Sequence, residues 1–331
     1  MGVRRPPREI PDLDAYYVET ATSRRLRAVF DDAMKKRTWH LVYGLTGIGK
    51  STEIDEYEQR YPIARHADGT TEAPVLSGSP IGHSKGSVKA FGRTFIDSLG
   101  TVPAKTQAED ELYLANQIVA CKTQVLVTDE AHTCTSDELL WLKRVTDLAT
   151  KKRHGQKVAV VFVCTGLRGH TPLREVIDRP TVQWSQFRKR MSPTTPYTYI
   201  AGLNAEELRA VLRAYERSVV GPFFPHLNLV RWATTMHRAL QNPFFDLDST
   251  ERVTMQNVRN VVDGILHRLV ERDLEDVPGG TAGQHLIAEV VAELLDAPNE
   301  KVSDADPGAA EEIADGAGRS ATALRSAEGA T

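Results

Sequence analysis

From residue 17 to about 199 the chain alternates short apolar runs with longer stretches whose apolar residues recur at helical spacing. That alternation predicts a parallel sheet covered by helices. The clearest runs, 124–128 and 158–164, are apolar on both faces, as central parallel strands must be. Residues 39–43 form a third run, 73–77 a weaker one, and 197–200 a candidate closing strand. Helices are expected over 22–37, 50–60, 88–99, 108–121 and 136–150. After Gly202 the pattern is helical alone, with Asn204 capping 205–219, then 226–240 and 254–274. Gly279 and Gly280 make a joint before a last short helix at 284–295. From 296 onward almost no large apolar residue remains, so a disordered tail is expected. The expected organisation is an extension (1–16), an α/β domain (17–202), an all-helical domain (203–278), a C-terminal helix (279–295) and an acidic tail (296–331).

Gly44, Leu45, Thr46, Gly47, Ile48, Gly49, Lys50 and Ser51 fit GxxxxGK[ST], directly after the strand at 39–43 and directly before a helix. Glycines let successive backbone N–H groups point inward at a β-phosphate, aided by the positive end of the following helix. Lys50 supplies charge to the β and γ oxygens, and the Ser51 hydroxyl is a ligand for Mg²⁺. Thr52 follows in the first helical turn. An ATP site is therefore expected here.

Such a site needs a carboxylate on a neighbouring strand. The run at 124–128 ends in Asp129 and Glu130, about 80 residues downstream, as the motif requires. Asp129 is placed to hold the Mg²⁺ and Glu130 to polarise the attacking water. With Ala131 and His132 these residues also spell a helicase box, but only a short helical region follows where a helicase needs a second catalytic domain. His132 either orients Glu130 or is a surface histidine at a helix start. The strand at 158–164 leads into Thr165, a candidate for contacting the attacking water or γ-phosphate and equally an ordinary strand-ending threonine.

Composition bounds the rest. With 331 residues, 41% hydrophobic and 26% charged, the chain can bury a real core. No run approaches the roughly 20 apolar residues of a membrane span, and residues 1–11 lack the apolar core of a signal peptide, so a cytoplasmic protein without membrane contact is expected. Cys121, Cys134 and Cys164 lie far apart with no CxxC spacing and read as small buried hydrophobes.

The P-loop, the Asp-Glu strand, the polar strand end, an arginine-rich segment and a helical lid together resemble an AAA+ ATPase. More narrowly, residues 17–270 resemble the transposition regulators of the TnsC, TniB and phage Mu B type. Tyr17, Val18, Glu19 and Thr20, with Arg24 and Arg25, look like the segment that leads into the nucleotide site in this group. Gly78, Ser79, Pro80 and Lys85, then 91–100, are similar to its region after the second strand; Asp129 to His132 match its Walker B. Two features depart from the family pattern: Thr165 stands where Asn is usual, and the lid has no clear sensor-2 arginine, Arg259 being the nearest.

The resemblance implies an ATPase, slow and stimulated by DNA or a partner, that assembles as a ring or helical filament on double-stranded DNA. It further implies recruitment or activation of a transposase at the target, with a targeting protein as a possible further partner. ATP would lie between subunits, with Arg179, Arg188 or Arg190 supplied in trans. Two other readings stay open: a signalling or defence NTPase acting through protein partners, and an ATP-gated scaffold with little hydrolysis.

The net charge of −3 looks unfavourable to DNA but averages two populations. Residues 139–193 carry twelve Lys and Arg against three acids, while 296–331 carry eight acids against three bases. Within the basic block Lys151, Lys152 and Arg153 are candidate DNA contacts, and the resemblance adds His83, Lys85, Lys89 and Arg93. Base-reading aromatics are not interleaved, so phosphate contact without sequence readout is expected.

Overall fold

The computed structural model describes residues 9–80, 87–99, 106–241 and 250–296. Of the tail expected at 296–331, Asp296 ends the last helix and the rest lies outside the described residues, as do His83 and Lys85. The α/β part runs α1 (Ala21–Lys36), β1 (Trp39–Gly44), α2 (Lys50–Arg60), β2 (Ala64–Arg65), β3 (Thr71–Glu72), β4 (Val75–Gly78), α3 (Val88–Ser98), α4 (Gln107–Ala120), β5 (Val125–Thr128), α5 (Ser136–Lys152), β6 (Ala159–Thr165), α6 (Pro172–Ile177), α7 (Val182–Arg188) and β7 (Tyr197–Tyr199). The helical part follows as α8 (Ala205–Tyr215), α9 (Ala233–Leu240), α10 (Met255–Glu271) and α11 (Gly280–Asp296).

Five strands form one parallel sheet in the order β4-β5-β6-β1-β7. Strand side chains alternate between two helical layers, because successive Cβ atoms point to opposite faces. Trp39, Leu41, Leu126, Val160 and Phe162 pack with Phe91, Phe95, Trp141 and Phe187 of α3, α5 and α7. Val42, Val125, Val127, Val161 and Val163 pack with Leu26 and Phe30 of α1 and Ile54 and Tyr57 of α2. Helix starts follow local chemistry: Thr20, Thr106, Thr135 and Asn204 each accept an N3 amide while the N3 side chain reaches back, closing a capping box.

Differences from the sequence reading concern short elements. The antiparallel β2–β3 hairpin and the six- and seven-residue helices α6 and α7 carry too few residues for a readable period. The helix expected over 205–219 leaves α geometry after Tyr215 and runs as a π turn, Glu216–Val220, up to Gly221. The one expected over 226–240 starts late. Glu216 accepts the Val230 amide at 2.7 Å, a 3₁₀ turn covers Val230–Trp232, and α9 begins only at Ala233.

Residues up to Val291 form one compact unit. Leu203 and Val253 exchange backbone hydrogen bonds of 2.8 and 3.0 Å, tying the start of the helical part to the approach to α10. Backbones approach closely at Gly44 as well, where an added Cβ would stand 2.3 Å from the Ile200 carbonyl oxygen. Gly44→Ala should therefore push β1 from the chain after β7 and cost about 1–3 kcal/mol of stability. A lower urea midpoint at unchanged slope is the expected reading.

Candidate nucleotide site

Parallel pairing aligns the carboxyl ends of the central strands: Gly44 stands opposite Thr165, and Gly78 opposite Thr128. Strand ends in such sheets form the natural ligand crevice. From Gly44 the chain turns through Gly47 (φ 76°) and Gly49 (φ 90°) into α2, conformations that favour glycine. Gly49 caps α2 without a side-chain acceptor, which leaves first-turn amides for a ligand. Lys50 is only 6% exposed, and its Nζ donates to the carbonyls of Gly44 (3.1 Å) and Leu45 (2.8 Å). Burial pulls its pKa below the ordinary value, opposed by the carboxylates of Glu130 and Asp129.

At the end of β5 the Asp129 amide donates to Gly78 O at 2.9 Å. One Asp129 oxygen accepts the Ser51 hydroxyl at 2.6 Å, and the other accepts the Glu130 amide at 2.9 Å. Glu130 takes a left-handed conformation (φ 48°), so the chain turns sharply at that residue. Ser51 and Asp129 thus bring together two hard oxygen donors. A hydroxyl with one carboxylate fits Mg²⁺, which keeps several waters and uses few protein ligands.

His132 joins this carboxylate to the next strand. Its Nδ1 lies 3.2 Å from Glu130 Oε2 and 3.3 Å from the Thr165 amide nitrogen. A single nitrogen cannot both accept that amide proton and donate to the carboxylate. Burial lowers the His132 pKa, with Glu130 acting in the opposite direction. The neutral ring therefore accepts from Thr165, and the protonated ring turns its donor to Glu130. Between an orienting role and a surface position, the half-buried His132 ring beside Glu130 favours the first.

Two further segments close the cleft. Tyr17 donates to Glu53 at 2.7 Å and accepts from Arg27 at 2.7 Å. Glu53, fully buried on α2, also pairs with Arg27 Nε at 2.7 Å. Burial raises the Tyr17 pKa to about 12, so its hydroxyl stays a donor. This network fastens Tyr17 and Val18 beside the P-loop, and both line the cleft. From the other side, the Gln256 amide donates to Gly47 O at 2.9 Å, and Met255, Gln256 and Arg259 of α10 face the same space. The cleft has about 810 Å³ of open volume, counting the solvent at its mouth. Arg259 pairs with Asp14 and interacts with the buried Tyr215 hydroxyl. Glu53, Met255 and Gln256 were not found from sequence. Nothing local distinguishes them, although Thr254, which caps α10 through the Asn257 amide, marks where that helix begins.

The other predicted residues are dispersed. Arg188 donates to the carbonyls of Ile177 and Arg179, stapling the turn between α6 and α7. Arg190 pairs with Asp147 and stacks over the Trp39 ring at 5.7 Å, at the amino end of β1. Arg179 is exposed. Arg153 donates to Thr123 O at 2.7 Å, while Lys151 and Lys152 are exposed in the last turn of α5. Arg93 lies 3.9 Å from the buried Asp110 carboxylate, and Lys89 is half-buried on α3.

A five-stranded parallel sheet with a P-loop, an Asp-Glu strand end and a following helical part defines a P-loop protein of the AAA+ class. The family model described as "Bacterial TniB protein" matches residues 9–172, so this part of the chain is an AAA+ region of the TniB type. Its fold is similar to that of the Aeropyrum pernix ORC2 protein, in a structure with ADPNP and ADP, at 12% identity and a TM-score of 0.56 over 89% of this chain and 70% of that one. Cdc6p from Pyrobaculum aerophilum is similar at 13% identity and a TM-score of 0.55, over 81% of this chain and 69% of that one. No curated protein matches by sequence.

Two outcomes follow from this geometry. Removing the Arg259 guanidinium (Arg259→Ala) should weaken binding of a slowly hydrolysed ATP analogue tenfold to a hundredfold, the worth of a charge-assisted hydrogen bond; calorimetric titration measures it. Burial also lowers the pKa of His132 and of His40 from 6.5. The unfolded chain then takes up protons near pH 6.5 that the folded chain refuses, so stability is full above that pH and falls as pH drops below it. Urea midpoints at pH 7.5 and 5.5 should diverge less in His132→Gln than in the parent.

Proposed function

We propose that this protein is an ATP-dependent, oligomerising ATPase that binds double-stranded DNA in the cytoplasm, selects target DNA and recruits or activates a transposase. The observation that supports this most is the convergence of Lys50, Ser51, Asp129 and Glu130 on one sheet edge in a chain whose residues 9–172 match the TniB model. ATP is the substrate and Mg²⁺ its companion ion. Ser51 and Asp129 would hold the ion, which when bound offsets charge on the phosphate oxygens.

The chain's own residues divide the work. The first-turn amides of α2 and the Lys50 ammonium receive the β and γ oxygens, the ammonium exchanging backbone carbonyls for stronger, anionic acceptors. Glu130 accepts a hydrogen bond from the attacking water and aligns it with the γ-phosphorus. His132 sets the direction of that carboxylate, and Thr165, opposite Gly44 in the register, stands at the γ-phosphate end of the crevice. Tyr17 and Val18 bound the base, and α10, the lid, brings Arg259 toward the phosphates.

An arginine from a neighbouring subunit completes the charge balance as negative charge moves to the leaving oxygens. Of the three candidates, Arg188 and Arg190 are engaged within their own chain. Arg179, exposed at the turn between α6 and α7 and in no ion pair among the described residues, is the one available to reach across. Duplex DNA is held through phosphates by Lys151 and Lys152 and the basic segment around Lys89 and Arg93, without sequence readout.

Replacing the general base (Glu130→Gln) should slow phosphate release at least a hundredfold while ATP binding persists; phosphate release equal to the parent's would instead identify an ATP-gated scaffold. Duplex binding followed by gel shift across a salt series should require ATP, and log K should fall linearly with log salt by about 0.9 per phosphate engaged. Salt-insensitive or nucleotide-independent affinity would remove the DNA part of the reading.

A further inference from the structure

At the opposite edge of the sheet from the nucleotide site, where the strands begin, lies a second cavity. Trp39 at the start of β1, Thr150 on α5 and Val158 before β6 form its walls, and four cations face it: Arg37, Lys157, Lys189 and Arg190. Its single carboxylate, Asp147, is already shared between Arg190 and Lys143, the latter at 3.2 Å. Lys157 and Lys189 are exposed and have no ion pair among the described residues. The cavity wall is thus a converging set of like charges with too few acids to balance it.

Arg37 is the most constrained member. It ends α1 in a left-handed conformation (φ 56°), uncommon for a residue with a Cβ and found where surrounding structure over-determines the backbone. Its Nη2 donates to Gln124 at 2.7 Å, while its Nη1 is buried with no hydrogen-bond partner among the described residues. Burial and the nearby Arg153 guanidinium both disfavour its charge. A buried guanidinium missing an acceptor, beside two ammonium groups with no ion pair among the described residues, is an unfavourable arrangement by itself. An anion with several oxygens removes the repulsion and supplies the acceptors. A planar guanidinium fork flanked by ammonium groups matches a tetrahedral phosphate better than a single carboxylate.

We propose that this cavity is a second oxyanion site that takes a phosphate group, independent of the P-loop and separated from it by the length of the sheet. Its occupant is either a backbone phosphate of duplex DNA or free inorganic phosphate, and the duplex alternative rests on the function proposed above. The site reaches beyond Lys151, Lys152 and Arg153, for it depends on Arg37, Lys157 and Lys189, which lie on three different segments.

The test uses the full chain with its nucleotide site saturated by Mg²⁺ and a slowly hydrolysed ATP analogue, so that phosphate cannot occupy the P-loop. Inorganic phosphate is titrated by calorimetry, and a fluorescent duplex by anisotropy, against the parent, Lys157→Glu/Lys189→Glu, and a control of equal charge change elsewhere, Lys35→Glu/Arg213→Glu. Unaltered affinity for the ATP analogue reports an intact fold; if the reversed pair fails to fold, Lys157→Gln/Lys189→Gln reads the same effect at smaller size. The cavity variant should bind phosphate at least tenfold more weakly than parent and control. If DNA is the occupant, duplex affinity also falls at least tenfold, and the salt slope drops by about 0.9 for the one lost phosphate contact. Loss in the phosphate arm alone assigns the site to free phosphate, and it stands even if the chain binds no DNA. Loss in the duplex arm alone, beyond the control, assigns it to DNA. Parent, control and variant behaving alike in both arms would overturn the site.

Discussion

The buried ammonium of Lys50 is the interaction around which the molecule is organised. A cation taken almost wholly out of water is tolerable only if fixed acceptors surround it, and here they come from separate segments. Gly44 and Leu45 supply carbonyls, while Glu130 and Asp129 supply negative charge from the next motif. To bring these together, β1 and β5 must end at the same level, and β6 lies between them. The parallel register and the apolar faces that enforce it are therefore prerequisites of the charge arrangement. Since the neutral carbonyls are weaker acceptors than phosphate oxygens, the site is prepared for an anion.

Around this centre the structure connects its parts through short polar contacts. His132 links Glu130 to the strand that ends in Thr165, and its single Nδ1 serves one of them at a time, so the proton on that ring couples two elements of the site. Gln256 fastens the helical part to the P-loop at Gly47, where an added Cβ would stand 2.7 Å from the Gln256 side chain. The Arg27–Glu53–Tyr17 network does the same for the segment before α1. The His132–Thr165, Gln256–Gly47 and Arg27–Glu53 contacts join residues far apart in sequence, which is how a nucleotide bound at one edge can be felt by several segments.

Charge follows a similar division. The basic block at 139–193 is one population by composition, but folding distributes it. Arg188 becomes a structural staple, Arg153 is spent on the Thr123 carbonyl, and Arg190 turns to Asp147 at the amino ends of the strands. Lys157 and Lys189 have no ion pair among the described residues and line a cavity whose walls include Trp39 and Val158. Counting charges along the chain located the block and could not tell these uses apart.

Much of the fold was legible because its signals are local. Apolar runs at 39–43, 124–128 and 158–164 became β1, β5 and β6 within a residue or two, and Asn204 became the cap it was expected to be. The P-loop and the Asp-Glu pair were readable because phosphate and metal chemistry demand those residue types in consecutive positions. By contrast, Glu53, Met255, Gln256 and the Arg37 cavity depend on contacts across tens to hundreds of residues, and the helix expected at 226–240 begins only after the point where Glu216 accepts the Val230 amide. Periodicity was enough to read the class of sheet, and contiguous motifs were enough to mark the phosphate loop and its carboxylate strand. Which helix closes the cleft, which histidine nitrogen faces which partner and which basic residues lack an ion pair among the described residues emerge from folding. Those depend on distances that loop closure and packing set, and no local pattern encodes them.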